Sequence, residues 1–96
     1  MAGAAEGLVA NMDYRFTAHA REEMKRRGIP EFLVHLVLTK PDQVADSGPD
    51  RQILQSLVEM DGKPFLLRVI VERDDPLIVV TVYRTSRINR YWRSEP

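Results

Sequence analysis

Two stretches of this chain carry residue types at spacings that could do chemistry. In F-T-A-H-A-R-E-E-M-K-R-R-G-I, Phe16 to Ile29, His19 stands four residues before Glu23. On a helix that spacing stacks the two side chains one turn apart. A carboxylate there can orient the imidazole and raise its basicity, as a general base requires. The same spacing also describes an exposed helix pair worth on the order of a few tenths of a kcal/mol. The second stretch is L-L-R-V-I-V, where Arg68 sits inside an apolar run. A guanidinium in mid-strand must find an anion, a carboxylate or water. Glu59 and Glu72 are its candidate carboxylates, and a phosphate gripped by the planar fork is the other solution. Thr81 and Tyr83, in the next run, share its expected face and bring hydroxyls within reach.

The end of the chain, Y-R-T-S-R-I-N-R-Y-W-R, sets Arg84, Arg87, Arg90 and Arg93 at intervals of three, with Tyr91 and Trp92 among them. Cations interleaved with aromatic rings suit single-stranded nucleic acid, by charge and by base stacking. A solvated tail with its tryptophan docked on the core fits the same pattern. His35 falls with Glu31 on the polar side of its helix and reads as a surface histidine. No cysteine, no HExxH pattern and no third ligand accompany the histidines, so neither a metal nor another cofactor is expected.

Composition narrows the class. Ninety-six residues make a single domain with a modest core. The 14 basic and 14 acidic residues cancel, so any case for nucleic acid rests on local clustering. The absence of cysteine excludes disulfides and thiol catalysis and fits a reducing, cytoplasmic setting. No apolar run is long enough for a membrane span, and M-A-G-A-A-E-G-L-V-A-N lacks the segments of a signal peptide. Residues 1–12 read as a flexible N-terminal tail, 13–86 as the folded domain, and 87–96 as a basic, aromatic C-terminal tail.

The elements that must position these groups follow from periodicity. Thr17 can cap a helix that runs to Arg27, with Lys25, Arg26 and Arg27 complementing its dipole and Gly28 just past its end. Pro30 opens a second helix, whose stripe of Phe32, Leu33, Leu36 and Val37 is expected to be buried; Pro41 ends it. Arg51–Met60, Pro64–Arg73 and Leu77–Thr85 then alternate at period two. Asp61-Gly62 and Asp74-Asp75-Pro76 supply the turns, and Gln43–Asp46 can add a short edge strand. The pattern predicts an α+β fold with two N-terminal helices on one face of a three- to four-stranded antiparallel sheet. Parity assigns Leu54, Val58, Met60, Phe65, Leu67, Val69, Val71, Ile78, Val80 and Val82 to the helix side. Gln55, Glu59, Arg68, Thr81 and Tyr83 fall on the other.

The F-T-x-H-A-R opening (Phe16, Thr17, His19, Ala20, Arg21), Arg27-Gly28-Ile29, L-R-V-I-V (Leu67–Val71) and V-V-T-V-Y (Val79–Tyr83) together resemble a bacterial domain family of unknown function. That family is similar to the BrnT and RelE toxins, within the Barnase–EndoU–colicin–RelE group of metal-independent ribonucleases. The resemblance spans roughly residues 14 to 85 and implies the same RelE-like order of helices and strands. It implies RNA cleavage by transfer to the 2′-hydroxyl, with a base for that hydroxyl, cations for the phosphate and an acid for the leaving oxygen. On this chain the catalytic positions would be His19, Arg68 and Tyr83, and Arg27 and Thr81 would hold substrate. The basic C-terminal series adds Arg84 and Arg87 as substrate contacts. An antitoxin-like protein partner goes with that reading. Glu23 stands where many relatives carry a basic residue. His19 and Arg68 also belong to opposite sides of the sheet by parity and would meet only at an edge or end. These residues point to a small toxin-type endoribonuclease, with a non-catalytic RNA- or protein-binding module of the same fold as the alternative.

Overall fold

Thr17 ties the start of the first helix to the last long strand. Its hydroxyl accepts a hydrogen bond from the Ala20 amide at 3.0 Å, as an N-cap does, and donates to the Val80 carbonyl at 2.9 Å. Its own amide donates to the Val79 carbonyl at 3.1 Å. A computed structural model describes residues 13–93; the segment read as an N-terminal tail, 1–12, lies outside the described residues.

The elements in order are β1 (Tyr14–Phe16), α1 (Ala18–Arg26), α2 (Glu31–Thr39), β2 (Gln43–Asp46), β3 (Arg51–Met60), β4 (Lys63–Glu72), β5 (Leu77–Thr85) and α3 (Ile88–Tyr91). Helix α1 ends as its sequence predicts. Gly28 takes φ +65°, its amide donates to Lys25 and the Ile29 amide donates to Met24, which closes a Schellman turn. The burial of Ile29 fixes the direction in which the chain leaves. Between β3 and β4 both Asp61 and Gly62 have positive φ, the conformation a tight two-residue hairpin requires.

The sheet has five strands in the order β1-β5-β4-β3-β2. It is mixed: β1 runs parallel to β5, with Tyr14 opposite Leu77 and Phe16 opposite Val79, and the remaining pairs are antiparallel. The expected purely antiparallel sheet of three or four strands is therefore corrected in detail. Strand β1 has three residues, too few to display a period, and it precedes both helices.

A second correction concerns β5. Ile70 pairs with Thr81 and Val71 with Val79, so Val80 is one extra residue in the strand. Such a bulge shifts parity by one. Leu77 and Val79 therefore join Val82 against the core, and Ile78 and Val80, expected there, do not. Residues after the bulge keep the expected parity, which leaves Thr81 and Tyr83 on the face away from α1. The carbonyl that the bulge displaces from the ladder, that of Val80, is the one Thr17 holds.

The core joins Ala20 and Met24 of α1 and Val34, Val37 and Leu38 of α2 to Leu54, Leu67, Val69, Val71, Val79 and Val82 of the sheet. The buried stripe of α2 is rotated from the expected one. Phe32 is 71% and Leu36 46% exposed, and Val34 and Leu38 take their places. Nearly every residue of F-L-V-H-L-V-L is apolar, so its pattern admits two adjacent faces. The choice coincides with a bond from outside the helix. The Tyr14 hydroxyl and His35 Nδ1 lie 2.9 Å apart, and the rings are 5.8 Å apart. His35 is accordingly half-buried against β1 and not a surface histidine. Burial first, and then the Glu31 carboxylate, push the Tyr14 hydroxyl above its ordinary pKa.

Removing the Thr17 hydroxyl tests the tie between α1 and the bulge. Thr17→Val should lower unfolding free energy by about 1–2 kcal/mol in urea denaturation, the scale of a lost cap. Thr17→Ser should retain most of it. Equal stability of Thr17→Val and wild type would show that the hydroxyl holds neither element.

Candidate functional site

Strand register builds a polar row across the sheet. Gln43 of β2 is opposite Gln55 of β3, Gln55 is opposite Arg68 of β4, and Arg68 is opposite Tyr83 of β5. Directly opposed residues share a face and touch. Arg68 Nε donates to Gln55 Oε1 at 2.9 Å, and a terminal guanidinium nitrogen donates to the Tyr83 hydroxyl. Gln55, only 4% exposed, uses its amide nitrogen to donate to Gln43 Oε1 at 2.7 Å and to the Tyr91 carbonyl at 3.1 Å. Leu67 and Val69 on either side of Arg68 are fully buried in the core, so alternation directs Arg68 to the opposite face.

No carboxylate meets this guanidinium among the described residues. Glu72, one candidate, pairs with Arg51 at 3.2 Å, and Glu59 is exposed. Arg68 instead lies 4.3 Å from the Tyr91 ring centroid and 5.5 Å from that of Tyr83, whose rings meet edge to face at 6.4 Å. One amide oxygen and one phenol accept from it and two aromatic rings lie beside it, none of which neutralises its charge. Such a donor set suits an anion or a flat ring and not a cation. Among the described residues no cluster of three His, Asp or Glu side chains could hold a metal.

The segment after β5 crosses this face. Within the stretch read as a C-terminal tail, α3 is followed by Arg93, whose amide donates to Gln43 Oε1 at 3.1 Å and whose carbonyl accepts from Gln43 Nε2 at 2.7 Å. Arg87, Arg90 and Arg93 are exposed and make no ion pair with a described residue. Arg90 lies 5.7 Å from the Tyr91 ring, and the Arg87 amide donates to Thr85 Oγ1 at 3.0 Å. Thr81 is half-buried, two residues before Tyr83 on the same face.

Other sequence candidates are elsewhere. His19 is exposed on α1, which packs against β5 and β1 on the opposite side of the sheet from Arg68. It makes no hydrogen bond or ion pair with a described residue, and Glu23 does not orient it. The Glu23 carboxylate accepts from Arg26 and from Arg27 Nε at 2.9 Å, so Arg27 is already paired. A cavity of about 340 Å³ beside α1, lined by Glu22, Glu23, Lys25 and Arg26, is likewise remote from Arg68. Arg84 shares the parity of Val82. Its guanidinium covers the Phe65 ring at 4.6 Å and reaches Asp61 at 3.5 Å.

The structure thus gathers Arg68 and Tyr83, with Thr81 nearby, and adds Gln43, Gln55 and Tyr91. It does not gather His19, Arg27 or Arg84 with them. Gln55 is visible by parity. Gln43 becomes visible only once β2 is registered on β3, and Tyr91 carries no local signal that it folds back.

Hydrogen bonds from Arg26 and then Arg27 hold the Glu23 carboxyl at about 2. A carboxyl lowered on folding adds stability above its unfolded value near 4.5, and that contribution disappears as pH falls through the folded value. Glu23→Gln should therefore be less stable than wild type at neutral pH, with the difference shrinking between about pH 4.5 and 2. Urea melts across that window check the sign; a gap that does not change with pH would contradict it.

The family model of a domain of unknown function, DUF4258, matches residues 16–84, from the end of β1 to the penultimate residue of β5. The match takes in α1, α2 and the polar row from Gln43 to Tyr83, and stops before α3. No curated protein and no solved structure matches the chain. Among the described residues no helix is long and apolar enough to cross a membrane. With well over half its length inside the match, the chain belongs to the DUF4258 family.

Proposed function

We propose that the protein is an RNA-binding module, related to the BrnT- and RelE-type toxins, that receives single-stranded RNA on the sheet face centred on Arg68. The observation that carries this reading is the company Arg68 keeps: a central-strand guanidinium held by amide, phenol and ring, with no carboxylate among the described residues to cancel it. A charge kept in this state can pair with a phosphate, and the planar guanidinium and the Tyr83 ring suit unstacked bases. Arg87, Arg90 and Arg93 on the crossing segment add local positive charge that the zero net charge of the chain conceals. A cytoplasmic setting goes with this reading.

A second reading, a metal-independent toxin-type endoribonuclease with an antitoxin-like protein partner, draws on one feature, the direct hydrogen bond between Arg68 and Tyr83. A phenol beside a guanidinium pairs a proton donor or acceptor with a charge that can stabilise a phosphorane. His19 contributes to neither reading at this face, because the sheet stands between it and Arg68.

Binding and cleavage of a labelled single-stranded RNA pool separate these readings. Arg68→Ala should weaken binding by roughly tenfold or more, the scale of a lost charge-assisted hydrogen bond. His19→Ala should bind as wild type does, and wild-type affinity should fall steeply with added salt. The binding module leaves the RNA intact. Cleavage by wild type, reduced about a hundredfold in Tyr83→Phe, would establish the nuclease. Equal binding by wild type and Arg68→Ala would contradict both.

A further inference from the structure

We infer that Tyr91 fills, in the free protein, a ring-stacking position on Arg68 that an unstacked nucleobase takes when RNA binds, so that the C-terminal segment is a strap over its own binding site. This inference rests on the RNA-binding reading above and specifies how that site is kept and opened.

The strap is held in two ways. Gln43 bonds both the amide and the carbonyl of Arg93, and Gln55 donates to the Tyr91 carbonyl, so its main chain is gripped by side-chain amides much as a neighbouring strand would grip it. The contact it makes with the charged centre is different in kind: the Tyr91 ring against the guanidinium at 4.3 Å, edge-on to Tyr83. A nucleobase offers the same flat π face to a guanidinium. While the tyrosine occupies that position, a base cannot.

The strap is also thinly attached. Helix α3 has four residues, no side-chain N-cap and no buried residue. Among the described residues its grip on the body is a few hydrogen bonds with Gln43 and Gln55 and the ring contacts of Tyr91, and a segment held so sparsely opens locally more readily than a packed core. The family match ends at Arg84, so the polar row lies within the shared domain and the strap outside it. From Arg87 to Arg93 there are three arginines and no acidic residue. A strap that swings away therefore stays attracted to the phosphates of the strand that displaced it.

The test uses the full chain with two variants. Gln43→Ala releases the Arg93 main chain and leaves Arg68 and Tyr91 intact; Tyr91→Ala removes the ring. Affinity for a short fluorescein-labelled single-stranded RNA is measured beside the rate of trypsin cleavage at Arg87 and Arg90. Faster cleavage in Gln43→Ala, with both variants binding roughly tenfold tighter than wild type, is the expected result for a site closed in about nine molecules of ten. Tyr91→Ala binding no tighter than wild type would overturn the inference, while the loss in Arg68→Ala would leave the RNA-binding reading standing. Absence of RNA binding by wild type and both variants would overturn that reading, and the assignment of the stacking position with it.

Discussion

A guanidinium on the central strand of a five-stranded sheet is the constraint around which the polar face of this protein is arranged. Arg68 is half-buried there, and a charge left without partners in that position would be costly. Strand register supplies its partners in order: Gln55 on one side, Tyr83 on the other, and Gln43 behind Gln55. The crossing segment supplies a third direct partner, the ring of Tyr91. None of these is an anion. A buried salt bridge would have neutralised Arg68 and silenced it; dipoles and rings leave it charged.

That arrangement depends on the bulge at Val80. Without the extra residue, a strand with Leu77 and Val79 against the helices would carry Thr81 and Tyr83 to the same side and expose Val82. With it, Val79 and Val82 are both buried and Tyr83 reaches Arg68. Thr17 accepts the cap bond of α1 while holding the displaced carbonyl of Val80. One hydroxyl thereby links the helix that carries His19 to the irregularity that aims Tyr83, although the two side chains lie on opposite sides of the sheet.

Much of the fold was legible where local chemistry decides conformation. Thr17 as a cap, Gly28 beyond the end of α1 and Asp61-Gly62 in the hairpin all act within a few residues of themselves, and the alternation of β4 needs no partner to be read. What escaped depends on partners distant in sequence. Strand β1 exists because β5 offers it an edge, the face of α2 coincides with the bond between Tyr14 and His35, and Val80 is extra only when β5 is laid on β4. The site divides in the same way. Arg68 and Tyr83 could be placed on one face by counting, whereas Gln43 and Tyr91 enter through pairing and a return of the chain. The pairing of His19 with Glu23 was plausible by spacing and does not form, because Arg26 and Arg27 compete for the same carboxylate within one turn.

The proposed RNA-binding function places RNA on the face bearing Arg68 and not on the helical face bearing His19. Amide and arginine Nε chemical shifts of isotopically labelled protein, followed as single-stranded RNA is added, report the contacted face directly. The expected result is saturable shifts at Gln55, at the Arg68 Nε–H, at Tyr83 and along residues 87–93, with α1 unaffected. Shifts confined to α1 around His19 and Arg27, with Arg68 silent, would contradict it.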